Sequence, residues 1–340
     1  MSLVLVTGAS GYIGNHIVTQ FLSKGYRVRG TVRDPSNKVK CGHLHALIAA
    51  GKPLELVAAD LLQAEDWPAA IQGVDYVVHS ASPFIIDVSE ADAEQRLIKP
   101  AVDGTTNVLK VALATKSVKK IVLTSSIAAI MEGRPDLEQQ ILGPNKKITA
   151  EEWTDVNHAS PYPRSKTLAE KAAWALINSA ETNPRNIPMT TIHPGFVTGP
   201  TLCGNDGTSI STCIKFMERA VPLIPYMNFP AVDVRDVADM HVGAVEVGES
   251  DGKRLIAVGE NLWFHEWAQY LAKEFNPLGF KVPTAIMPNA LAWVVSFVRP
   301  DVKALVPILG KTLGITFTPM SKSIVDMGHS LVQLGLVTKK

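Results

Sequence analysis

The sequence predicts an α/β fold: a doubly wound parallel sheet with a smaller C-terminal α+β lobe. Three observations predict it. Short runs rich in β-branched residues alternate with stretches of helical spacing from Leu3 to His193. The runs are apolar throughout rather than alternating, the mark of parallel strands covered on both faces. Glycines at 8, 11 and 14 follow the first run directly, where a strand-to-helix turn of Rossmann type belongs.

Taken in order, Leu3 to Thr7 reads as a buried strand and Gly14 to Ser23 as a helix with Ile17, Phe21 and Leu22 on one face, stopped by Lys24-Gly25. Tyr26 to Val32 and Leu54 to Ala58 read as the next strands. A helix over Trp67 to Gln72 leads to a strand at Tyr76 to His79, and a helix over Asp103 to Ala114 leads to one at Lys120 to Ser125. A long helix over Pro161 to Ser179 precedes a sixth strand, Met189 to His193. Beyond Pro194 the texture changes. Proline and glycine crowd residues 196–230, and Trp263, Trp267 and Trp293 fall in the last stretch. Residues 1–195 with 231–260 are expected to bind the dinucleotide, and residues 196–230 with 261–340 to cover the substrate.

Bulk properties narrow the function. The 340 residues carry 33 basic and 32 acidic side chains, a net charge of +1, and 46% are hydrophobic. That balance argues against nucleic acid and against a membrane surface as partners. The expected partner is a small molecule, and the expected assembly a monomer or weak homodimer. Three cysteines, Cys41, Cys203 and Cys213, show no paired spacing, which points to a reducing, cytoplasmic setting. His43 and His45 are two residues apart, a poor metal pair, and no metal is expected. Leu3 to Val6 runs straight into glycines without a basic leader, and the apolar stretch Ala290 to Val298 is too short to span a bilayer.

Between the first strand and helix stands Gly8-Ala9-Ser10-Gly11-Tyr12-Ile13-Gly14. The first glycine permits the turn, the second a close approach of backbone to a pyrophosphate, the third tight helix–sheet packing. The helix start then aims free N–H groups at phosphate. An acidic residue closing the second strand would select NAD. Here Arg33 closes it, followed by Lys38 and Lys40, and a guanidinium suits the 2′-phosphate of NADPH/NADP+. Asp34 leaves the alternative open: facing the ribose, it would favour NAD. Asp60-Leu61 is placed near the adenine, and Ser80-Ala81-Ser82 and Thr124 close strands beside the cofactor.

Tyr162 and Lys166 are four residues apart in SPYPRSKTLAEKAAW and share one helix face. The ammonium is expected to lower the phenol's pKa, so that Tyr162 gives a proton to a carbonyl oxygen as hydride reaches carbon. Ser126, past the fifth strand, can polarise that carbonyl. Pro161 and Pro163 suit a helix entrance.

On these residues the chain resembles the extended short-chain dehydrogenase/reductases, and within them the dihydroflavonol reductase-like branch, which includes cinnamoyl-CoA reductases and yeast-type methylglyoxal reductases. The resemblance rests on VTGASGYIG, GYRVRGTVRDPSN, VDYVVHSASP, IVLTSSIAA, PYPRSKTLAEKAAW, IHPGFVTGP and VDVRDVADMH, between residue 4 and about residue 245. It implies NADPH-dependent reduction of an aldehyde or ketone, with Ser126, Tyr162 and Lys166 as the catalytic set. It also implies that Arg33 and Lys40 meet the 2′-phosphate, and that Pro194, Gly195 and Val197 lie near the nicotinamide. The asparagine that binds flavonoid in plant dihydroflavonol reductases falls near Met131, and the NWYCYGK of cinnamoyl-CoA reductases is replaced by ASPYPRSK. Neither plant substrate is therefore implied. Phe84, Ile85, Met131, Phe196 and Tyr226 are the expected apolar lining of the substrate pocket. Rival readings are a nucleotide-sugar epimerase or dehydratase that keeps its NAD, a hydroxysteroid-type dehydrogenase, and a non-enzymatic NADP sensor.

Overall fold

The computed structural model describes residues 1–83, 88–133, 148–204, 207–287 and 315–339. Its strands are β1 (Leu3–Thr7), β2 (Arg27–Val32), β3 (Leu54–Ala58), β4 (Tyr76–His79), β5 (Lys120–Thr124), β6 (Met189–Pro194), β7 (Phe196–Thr198), β8 (Asn228–Asp233), β9 (Arg254–Ala257) and β10 (Glu260–Trp263). Seven of them form one sheet in the order β3-β2-β1-β4-β5-β6-β9, and every neighbouring pair is parallel. The winding reverses between β1 and β4, so a crevice opens at their carboxyl ends, where doubly wound sheets bind ligands.

The helices are α1 (Tyr12–Ser23), α2 (Gly42–Ala49), α3 (Trp67–Ile71), α4 (Glu90–Ala93), α5 (Lys99–Ala114), α6 (Ala128–Met131), α7 (Pro161–Asn178), α8 (Thr208–Met217), α9 (Val234–Glu246), α10 (Phe264–Phe275) and α11 (Met320–Gln333). Alternation along each strand sorts the core into two layers. Val4, Val6, Val78, Val122 and Ile192 face α1 and α9, joined by Ile17, Phe21, Val237 and Met240. Leu5, Val77, Ile121, Leu123 and Met189 face the other way, against Trp67, Val108, Leu109 and Ala173 of α3, α5 and α7. The apolar runs in the sequence are thus strands with no solvent face.

β7 and β8 pair in parallel, and β10 joins β8 antiparallel, in a separate three-stranded sheet. A third apolar cluster beside it takes Cys213 and Phe216 of α8, Trp267 and Leu271 of α10, and Ile324 and Met327 of α11. Gly195 makes the corner between the sheets: a Cβ there would lie 2.3 Å from the Pro230 carbonyl oxygen, so no side chain fits.

The sequence does not foretell α2, α4, α6 or the helices α8 to α11, nor the early start of α5. α2 has apolar residues on all sides and buries only Leu44, so no amphipathic period marks it. α5 begins at Lys99 rather than Asp103. α4, capped by Ser89, runs through a π-helical turn (Glu94–Ile98) into α5, with Pro100 tolerated in the first turn. His43 and His45 lie on α2 and point apart, to the Thr19 hydroxyl at 3.0 Å and the Pro35 carbonyl at 2.8 Å. No described helix is long and apolar enough to cross a membrane. The stretch Ala290 to Val298, Phe84 and Ile85 lie outside the described residues.

Candidate active site

The glycine loop opens the crevice. Gly8 has φ +67°, and a Cβ on it would come within 3.0 Å of Ala81. Gly14 is tighter still, with the Gly8 carbonyl oxygen 2.2 Å from where its Cβ would be. The Gly11 N–H donates to the Gly8 carbonyl at 2.9 Å. No side chain caps the α1 N-terminus, and its first turn holds no acidic residue. Its first N–H groups therefore have no capping side chain among the described residues. The Tyr12 hydroxyl is committed elsewhere, donating to the Gly199 carbonyl at 2.6 Å. Ile13 packs against the core.

At the end of β2, Arg33 is exposed. Asp34 is turned into its own loop: its carboxylate accepts the Ser36 N–H at 2.9 Å and the Ser36 hydroxyl at 2.6 Å. Those bonds hold its pKa down. Lys38 and Lys40 are exposed on the same loop, and Ser10 reaches the Cys41 thiol below it. After β3, Asp60 accepts the Leu62 N–H at 2.9 Å, and the Leu61 carbonyl accepts from Asn107 at 3.1 Å. After β4, the Ser80 and Ala81 N–H groups both donate to the Thr7 hydroxyl at 3.1 Å. The Ser82 hydroxyl turns to the Pro83 carbonyl at 3.3 Å.

At the end of β5 the hydroxyls alternate. Thr124 faces α9, where its Oγ1 lies 2.7 Å from His241 Nε2. His241 Nδ1 lies 2.7 Å from the Val237 carbonyl, an obligatory acceptor, so Nδ1 carries the proton and Nε2 accepts from Thr124. Burial pushes the His241 pKa down to about 4. Ser125 faces α7, and Ser126 projects into the crevice with its Oγ accepting the Ala128 N–H at 3.1 Å.

α7 supplies the rest. Its entrance is held by Glu132, whose carboxylate accepts the Ser160 N–H at 2.8 Å and the Ser160 hydroxyl at 2.6 Å. The Tyr162 ring packs against the small apolar cluster of Val88, Ala93, Leu97 and Ile98. Its hydroxyl hydrogen-bonds Ser126. Lys166 stands one turn on, its Nζ 5.9 Å from the centre of the Tyr162 ring. Burial pushes the phenol up to about 12, opposed by the Ser126 bond, and pulls Lys166 down to about 8. The sequence reading had the lysine lowering the phenol's pKa. Here desolvation by burial wins, opposed only by the Ser126 hydrogen bond.

A third residue of α7, one further turn on, was missed. Glu170 is 1% exposed yet charged. It accepts from Ser125 at 2.7 Å, from Arg254 Nε at 2.7 Å and from Trp174 at 3.1 Å, and lies 2.8 Å from His193 Nε2. Burial alone would raise its pKa; His193 and Arg254 more than offset that and hold it well below the usual carboxylate range. Arg254 also donates to the Ala150 and Glu152 carbonyls at 2.5 and 2.6 Å and stacks 3.7 Å over Trp153. The signal available in the sequence was a carboxylate at the same four-residue spacing after Lys166.

Beyond β6, the Pro194 carbonyl accepts from Ile127 at 3.0 Å, tying the end of β6 to the Ser126 segment. Val197 packs on the core beside α1. Phe196 stacks on Phe229 at 5.3 Å and meets Trp267 edge-on at 5.7 Å, so most of its ring is core. Met131 packs with Ile127 and Ile130. Tyr226 is 54% exposed, its ring 4.5 Å from that of Trp263.

The geometry has counterparts. A family model described as the NAD dependent epimerase/dehydratase family matches residues 4–259. Cinnamoyl-CoA reductase CAD2 of Medicago truncatula is 35% identical over 342 residues, spanning 97% of this chain and 95% of that protein. Gre2 of Candida albicans, solved in complex with NADPH, is 29% identical with a TM-score of 0.79, covering 98% of this chain and 99% of its own. The yeast methylglyoxal/isovaleraldehyde reductase Gre2, complexed with NADPH, is 25% identical with a TM-score of 0.79, covering 99% of this chain and 100% of its own. A match that runs from β1 through β9, with relatives alike along nearly the whole chain, makes this protein a member of the NAD-dependent epimerase/dehydratase family, the extended short-chain dehydrogenase/reductases.

Proposed function

We propose that the protein is an NADPH-dependent reductase that converts a small aldehyde or ketone to an alcohol. One observation carries the reading. The Ser126 and Tyr162 hydroxyls are hydrogen-bonded to each other at the carboxyl edge of the sheet, with Lys166 one helical turn away.

The crevice fits a dinucleotide. The uncapped α1 start offers N–H groups to a pyrophosphate, and Gly8, Ser10, Gly11, Tyr12, Ile13 and Gly14 present backbone to it. Arg33 and Lys40 are exposed for the 2′-phosphate, and Asp34 is occupied with Ser36, which supports NADPH over NADH. Asp60 and Leu61 would border the adenine. Ser80, Ala81, Ser82, Thr124, Pro194, Gly195 and Val197 would border the nicotinamide half. NADPH, when bound, supplies the hydride.

The chain's own residues do the rest. With its pKa near 12, the Tyr162 phenol keeps its proton at neutral pH and can deliver it to a carbonyl oxygen. Ser126, held against that phenol, donates to the same oxygen and polarises it. Lys166, with a pKa near 8, is mostly charged at pH 7 and favours the phenolate left behind. Met131 and Phe196 would border the substrate. The apolar cluster of α8, α10 and α11 supports treating residues 196–230 with 261–340 as the substrate lobe and 1–195 with 231–260 as the cofactor unit. Cys41, Cys203 and Cys213, buried and outside any disulfide among the described residues, support a reducing, cytoplasmic setting. We take the assembly to be a monomer or weak homodimer.

The test is NADPH oxidation over a panel of aldehydes, ketones and 1,2-dicarbonyls. One alcohol should form for each NADPH consumed. Turnover of a sugar nucleotide with no net cofactor consumption would replace the reading with an epimerase or dehydratase.

A further inference from the structure

Thr7 and His79 sit opposite each other at the ends of β1 and β4, on the sheet face that α7 covers. Both are buried, at 0% and 1% exposure. The Thr7 oxygen accepts two backbone N–H groups, from Ser80 and Ala81. Those fill its acceptor capacity, so its own proton goes to His79 Nδ1, 2.8 Å away. Nδ1 is therefore an acceptor, and the neutral ring carries its proton on Nε2. Burial, and then the Lys166 charge, push the ring's pKa down to about 3, so the ring stays neutral. His79 Nε2 is buried and has no acceptor among the described residues. An N–H left so is costly, and native proteins rarely leave one. Lys166 stands on α7, the helix over this same sheet face, and its charge reaches the ring.

We propose that His79 is a positioning residue for the reductase site: its Nε2–H holds a buried water oxygen that also accepts from Lys166 Nζ. The inference rests on the reading of Lys166 given above. Through Thr7, the same imidazole ties the Ser80-Ala81 backbone to that lysine. The segment bordering the cofactor and the ammonium beside the phenol thus become parts of one hydrogen-bonded chain. Only the neutral Nε2–H form can make it. A doubly protonated ring would oppose Thr7 at Nδ1 and Lys166 at Nε2 together.

Nitrogen-15 NMR of the histidine side chains tests this in the wild-type protein without a substrate. His79 should show the neutral Nε2–H form across pH 6–8, with transfer from that proton to a bound water. The Nδ1–H form, or a charged ring, overturns the proposal. Two variants give an independent reading. His79→Asn keeps an oxygen near the Nδ1 position for Thr7 but removes the distal donor. His79→Gln places an amide N–H near the Nε2 position. The Asn variant should lose about tenfold in kcat with KM for NADPH unchanged, and the Gln variant should recover most of it. Equal impairment of the two, or full activity in the Asn variant, overturns the proposal. If the Asn variant does not fold, the wild-type spectrum decides alone. A wild-type chain without NADPH-dependent reduction would sink the reading of the site, while the spectrum would still decide the hydrogen bond.

Discussion

At the scale of single residues, cofactor choice comes down to which of two neighbours meets the ribose. Arg33 is exposed, and the adjacent Asp34 carboxylate is held by Ser36. Arg33→Ala should therefore lower kcat/KM for NADPH by roughly tenfold or more, about 1.5–3 kcal/mol for a charge-assisted contact, while leaving NADH use nearly unchanged. Parallel kinetics with the two cofactors measure it; an unaltered preference would move the selection to Lys38 or Lys40. The sequence offers Arg33 and Asp34 side by side for that role. What turns Asp34 inward is a turn of four residues whose hydrogen bonds depend on backbone angles that composition does not fix. The glycines were readable because each answers a local steric demand, such as the absent Cβ at Gly8 beside Ala81.

At the scale of elements, α7 carries three working side chains at four-residue spacing: Tyr162, Lys166 and Glu170. The first two were legible because helical geometry alone brings them together. Glu170 was not, since its partners come from β5, β6 and β9, far apart in sequence. That carboxylate fixes the register of α7 on the sheet, and so the place of Tyr162 relative to Ser126. Glu170→Ala leaves the Arg254 side chain without its counter-charge and the His193 ring without its hydrogen-bond partner, at 10% and 0% exposure. It should destabilise the fold by about 3–5 kcal/mol, read as a lower urea midpoint at unchanged slope. A loss below about 1 kcal/mol would mean that the cluster is not the anchor of the helix. α2 shows the opposite limit, a helix whose sequence, apolar all round, carries no period to detect.

At the scale of the whole molecule, one sheet with two covered faces sets the site at its carboxyl edge, and a corner at Gly195 swings the chain into a second sheet. The doubly wound order was legible because apolar strands alternating with helices leave few other topologies. The second sheet was not: β7 and β10 are three and four residues long, and their pairings join residues 29 to 35 positions apart. The layout gathers the glycine loop of β1, the Ser126 hydroxyl after β5 and the first turns of α7 around one crevice. Carbonyl reduction as proposed requires a phenol in that crevice that hands its proton to substrate. The direct measurement is the kcat of Tyr162→Phe for NADPH-dependent carbonyl reduction, alongside NADPH affinity by fluorescence titration. Proton delivery from the phenol requires kcat to fall by about 10²–10⁴-fold with affinity within a few-fold of the parent. Undiminished turnover in a variant that still binds NADPH would contradict it.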